Sequence, residues 1–219
     1  MHDTTRDRLT ALAAVVAALV PALAVVSDWL QFALDLQEDR YVVGFRTVLA
    51  VGVVAAALVA VRALRGQDRV LLGFALAVLT WSLAGFVPSS AWPVGTVLFI
   101  AARALLFVFG VLLVLRTRAD TAAGAGTSTT STGPAGGRVH RVAAWAVLVG
   151  AGVWLAWTVV EPVLFTLWIP PQDALTGLFA IPQAGQFVAF VGAVLVFVPP
   201  LVRPVRDGAR RLWETADVR

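Results

Sequence analysis

The chain contains no cysteine and no lysine, and its only histidines are His2 and His140. Without cysteine there is no disulfide, no thiolate metal site and no cysteine nucleophile. Without lysine, a Gly-rich phosphate loop ending in Lys cannot be built. His2 and His140 flank apolar runs instead of lying within them, so paired intramembrane haem ligands or a histidine metal site are not expected. No H-E-x-x-H or G-x-S-x-G occurs either. Ser89 and Ser90 fall in the turn Pro88-Ser89-Ser90-Ala91-Trp92-Pro93, where turn chemistry accounts for them and no histidine stands on that side to activate them. Carboxylate catalysis through Asp28, Asp35 or Glu161 has no spacing signature behind it. These absences favour a protein that is not an enzyme and that carries no cofactor or metal.

Charge is scarce as well. Charged residues make up 14% of the 219, against about 25% in a typical soluble domain. Hydrophobic residues make up 59%, and the mean hydropathy is +0.86. The formal charge of +4 and a pI near 11.1 raise the question of nucleic acid. The charges, however, lie between apolar runs and do not form a basic face, so no nucleic-acid partner is expected and anionic lipid headgroups are the natural counter-charge.

What is present is a set of apolar runs 18 to 22 residues long: Leu9 to Val26, Val42 to Val61, Val70 to Val87, Val94 to Leu115, Val142 to Val160 and Gln183 to Val202. As helices they are about 27 to 33 Å long, which matches the hydrocarbon thickness of a bilayer. Their flanks orient them, because short cytoplasmic loops collect arginine. Of the 17 basic residues, all arginine, only Arg40, Arg46 and Arg103 fall outside the N-terminal flank, the loop between the second and third runs, the loop between the fourth and fifth, and the tail. The expected fold is all-α: a polytopic bundle of six transmembrane helices in the cell (plasma) membrane, with both termini cytoplasmic.

The first run has a second reading. Arg6 and Arg8, the run to Val20, Pro21 and Ala22-Leu23-Ala24 match a secretory signal with an A-x-A site, whose removal would leave five spans. Apolar character continuing through Val25, Val26, Trp29, Leu30 and Phe32 favours retention as a helix kinked at Pro21. From Asp28 to Asp39, acidic and apolar residues separate onto two helical faces. That pattern fits either an interfacial helix or an extension of the first span.

Four parts follow from composition: a four-helix half over 1–116, a disordered cytoplasmic linker over 117–140, a two-helix half over 141–202 and a basic tail over 203–219. The linker rests on the Gly, Ala, Ser and Thr of Thr117 to Gly137, which offer little to bury. The fifth run continues through Pro162 to Pro171, as a long tilted helix or as one broken at Pro162 with the remainder in the outer interface. Trp29, Trp92 and Trp168 mark the outer boundary as an aromatic belt. In the tail, Arg203, Arg206, Arg210 and Arg211 are placed to contact inner-leaflet headgroups.

Charged groups within lipid are costly and rare. Arg103 lies nine residues into its span, about 13 Å deep, beyond what snorkelling relieves. Arg46, Glu161, Gln183 and Gln186 also fall in the outer half, and together the five form a candidate ligand or ion-pair set lining an outward-facing pocket. Arg103 with Glu161 is the expected pair, and Thr80, Ser82 and Thr158 are possible further acceptors. Gly150, Gly152 and the Gly185, Ala189, Ala193 series suit close helix contact. The favoured reading is a non-enzymatic membrane protein, a packing subunit, regulator or sensor-like module, docked to a membrane partner or to further copies of itself. The alternatives are a transporter or channel for a small polar or anionic solute, and a membrane enzyme acting on lipid.

Overall fold

The computed structural model describes residues 2–34, 38–124, 134–168, 170–199 and 201–202. Within these residues the chain is helical, with no strand. The main elements are α1 (His2–Leu34), α2 (Glu38–Gly66), α3 (Arg69–Ala84), α4 (Trp92–Gly124), α5 (Pro134–Leu167) and α6 (Gln172–Phe197), with a single 3-10 turn at Ser89–Ala91 before α4.

Five of the six helices are long and apolar enough to cross a membrane. The exception is shorter than the run Val70 to Val87 expected there: α3 has 16 residues and ends at Ala84. At about 24 Å it falls below the roughly 30 Å of a hydrocarbon core. Its start is sharply defined, since the Asp68 carboxylate accepts from the backbone N–H of Val70 and Leu71 after Gln67 turns the chain with φ 53°. Its end is set by Gly85 and by Pro88, whose ring disfavours helix in the residue before it. Despite its length α3 is deeply embedded, with Phe74, Ala75, Ala77, Val78, Trp81, Ser82 and Ala84 buried.

Other boundaries also differ from expectation. α1 continues through a fully buried Pro21 to Leu34, so Asp28 to Leu34 extends the first helix and does not start a separate interfacial one. α5 continues through an exposed Pro162 to Leu167, so the break considered there is not found. α6 begins at Gln172, ahead of the expected Gln183, and passes through Pro182. The stretch read as a linker is entered by helix from both sides, to Gly124 and from Pro134, and Thr117 is buried with its hydroxyl donating to the Val114 carbonyl at 2.9 Å. Residues 125–133 and the tail from Arg203 lie outside the described residues, and with them Arg203, Arg206, Arg210 and Arg211.

Each helix packs on the next in sequence, and α6 returns to α1, so the six form a closed ring. Aromatic side chains fill its middle in two layers. Phe74 of α3, Phe109 of α4 and Phe197 of α6 make the first, with ring centroids 4.9 to 6.2 Å apart. Phe190 of α6 meets Trp81 of α3 at 6.4 Å and Trp154 of α5 at 6.2 Å in the second. Seven residues separate the layers on both α3 and α6, about 10 Å along the axis. Small residues bring α5 and α6 together. A Cβ at Gly150 would stand 2.6 Å from the Ala189 nitrogen and the Gly185 oxygen, and one at Gly192 would stand 3.0 Å from the Ala143 oxygen. Gly152, an equal candidate by sequence, meets only the Phe107 ring at 3.5 Å.

Candidate functional site

Arg103 leaves α4 toward α5. Its guanidinium donates to the Thr158 hydroxyl at 2.7 Å and lies over the Trp154 ring, 5.2 Å from the centroid. Thr158 is the acceptor selected from the three hydroxyls that sequence allowed. Thr80 donates back to its own helix at the Leu76 carbonyl, 2.6 Å away, and the buried Ser82 hydroxyl has no hydrogen-bond partner among the described residues. Glu161 sits one turn beyond Thr158, near enough for its charge to act on Arg103, but no ion pair within 4.0 Å joins them; the described ion pairs are elsewhere. The expected salt bridge is thus replaced by a hydroxyl and an aromatic face, while the buried Arg103 Nε has no partner among the described residues. A cation over a desolvated indole is worth up to about 2 kcal/mol. Trp154 was missed from sequence, although Trp154, Thr158 and Glu161 follow at helical spacing on one face of α5.

The other members of the predicted set are not brought to this point. Arg46 is exposed on α2, a helix that packs against α1 and α3 and not against α5. Gln186 is buried and directs its amide to the Pro21 carbonyl at 3.5 Å, between α6 and α1. Gln183 is half-buried one turn earlier. Because α6 starts at Gln172, both glutamines lie mid-helix and not in its first turn. Arg103 and Glu161 thus lie on the α4–α5 side, Gln186 lies between α6 and α1, and Arg46 is exposed on α2.

A different cluster assembles at the opposite end of the ring. The start of α1, end of α2, start of α3, end of α4, start of α5 and end of α6 surround a chamber of about 860 Å³. Its rim carries Asp7, Arg62, Asp68, Arg116, Asp120 and His140, and Phe197 and Phe109 lie at its base. Arg62 pairs with Asp7 at 3.2 Å and Arg116 with Asp68 at 3.7 Å, linking α2 to α1 and α4 to α3. His140 sits beside Arg116 and Asp120. The signal available in the sequence was that each of these aspartates stands within two residues of an arginine in an arginine-rich flank.

Compared with known proteins, the chain matches no family model, no curated protein and no solved structure.

Among the described residues no group of three or more His, Asp or Glu side chains is placed to hold a metal ion. The chamber can accept a small polar or amphipathic solute by volume, since it couples a charged rim to an apolar base. The aromatic layers close the ring's interior behind it.

Proposed function

We propose that this chain is a non-enzymatic multi-spanning protein of the plasma membrane, with both termini and the chamber on the cytoplasmic side, acting as a packing subunit, regulator or sensor-like module. One observation carries the reading: Arg103, the most deeply placed charge in the spans, is engaged by Thr158 and Trp154 on the neighbouring helix. A charge held this way fixes the α4–α5 register and is not presented to a solute. The orientation rests on the arginine distribution, and the convergence of all the described arginine-rich helix ends on one face of the bundle agrees with it. A membrane partner or a second copy is the expected associate.

A structural role predicts that Arg103→Ala lowers the folded fraction in detergent and that Thr158→Val does so more mildly. Size-exclusion elution and thermal unfolding would measure both. Retention of full stability by Arg103→Ala would remove the basis of this reading. Reporter fusions after Arg65 and within 117–137 should stay internal, and crosslinking in native membranes should recover a stoichiometric neighbour.

The chamber favours a second reading, transport of a small polar or anionic solute. Solute flux in proteoliposomes, lost in an Arg116→Ala protein that remains folded, would select it.

A further inference from the structure

Two grooves on the outer surface of the ring share one design. The first lies between α1 and α2 and has a volume of about 950 Å³; Leu12, Val16, Val51, Val54 and Leu58 line it, and Arg62 and Arg65 stand at its end. The second lies between α5 and α6 and has a volume of about 600 Å³; Val142, Trp145, Val149 and Val188 line it, and Arg138 and Arg141 stand at its end. The apolar walls are exposed, with Val54 and Leu58 each at 61% and Val142 at 67%. Among the described residues neither groove is lined by a carboxylate. Arg65, Arg138 and Arg141 make no ion pair with a described residue. Each groove is thus an apolar strip capped by two cations, and both caps lie at the chamber end of the bundle. From Arg138 to Val149 the strip runs about 17 Å along α5, close to the roughly 15 Å depth of one leaflet.

We infer that these grooves are binding sites for anionic phospholipid, with acyl chains along the valine and leucine strips and phosphate oxygens on the arginine pairs. The inference rests on the membrane-spanning reading above, which membrane fractionation tests by itself. Charge complementarity selects the lipid class: a zwitterionic headgroup brings its own cation to the arginines, whereas an anionic one does not. The first groove carries a further feature. Arg62 and Thr10 line both it and the chamber, and Asp7 holds Arg62 from the chamber side. A phosphate in the groove therefore competes with Asp7 for Arg62.

The test is intact mass analysis of the detergent-purified protein with phosphatidylglycerol or with phosphatidylcholine of the same chains. Two phosphatidylglycerol molecules should be retained in preference to phosphatidylcholine. Arg65→Ala should weaken one site about fivefold, and Arg138→Ala with Arg141→Ala should weaken the other by more. Asp7→Asn should strengthen the first site, by up to about fivefold, and leave the second unchanged. Circular dichroism and elution volume establish that each variant is folded. Equal retention of the two lipids would overturn the proposal. So would retention unchanged in both arginine variants, which would assign the lipid to other arginines. Displacement by excess inorganic phosphate would assign the arginine pairs to a soluble anion and would also overturn it.

Discussion

The α5–α6 and α1–α2 seams are both built from small residues, but they differ in what touches. Across α5–α6 the contact is backbone on backbone: the Gly150 position faces the Ala189 nitrogen and the Gly185 oxygen, and the Gly185 position in turn faces the Gly150 oxygen at 2.9 Å. Across α1–α2 it is mediated by side chains. A Cβ at Gly52 would meet Val20 Cγ1 and Ser82 Oγ, each at 2.8 Å, and the adjoining surface opens into the groove between α1 and α2. Close backbone approach gives dispersion contact without needing apolar drive, which lipid does not supply between helices. It also leaves nothing that can rotate aside. The second seam can adjust.

Substitutions that add or remove volume would sharpen this contrast. The largest effect is expected from Gly150→Leu, which cannot be accommodated without separating α5 from α6; loss of the monodisperse folded species on size exclusion would measure it. Phe74→Ala should follow, at about 3 kcal/mol of unfolding free energy, because it hollows the aromatic layer joining α3, α4 and α6. Reversible denaturation in mixed micelles would read it. Asp68→Ala should cost about 1 kcal/mol by removing the cap of α3, visible as earlier exchange of the Val70 and Leu71 amides. Gly52→Ala should cost less than Gly150→Ala, because it meets side-chain atoms of Val20 and Ser82 and not backbone, although at 2.8 Å both buried side chains must shift and a modestly lowered melting temperature is expected. If Gly52→Ala proved as damaging as Gly150→Ala, the distinction between the two seams would fail.

The spans were legible because lipid thickness imposes a length and water exclusion imposes an apolar composition, both of which are local properties. Boundaries were less legible. Hydropathy runs past Ala84 through Phe86 and Val87, but Gly85 and Pro88 end the helix, and hydropathy does not register that restriction. The opposite error occurred at α6, where Pro182 and Gln183 resembled a start and lie inside a continuous helix, with Pro182 buried among its neighbours. Arg103 was identified from its depth alone. Its partner was not, because Thr80, Ser82, Thr158 and Glu161 all met the same criterion of type and depth, and selection among them depends on which helix packs beside α4.

The sequence by itself determined that this chain is helical and apolar, that arginine collects on alternate connections, and that Arg103 lies within a span. Each follows from the solvent a segment must face, a property carried residue by residue. Tertiary structure alone decided the closed ring, the pairing of Arg103 with Thr158 and Trp154 in place of Glu161, and the gathering of Asp7, Asp68, Asp120 and His140 around one chamber. Those outcomes depend on the rotation of each helix about its axis and on its choice of neighbour, which packing fixes across many residues at once.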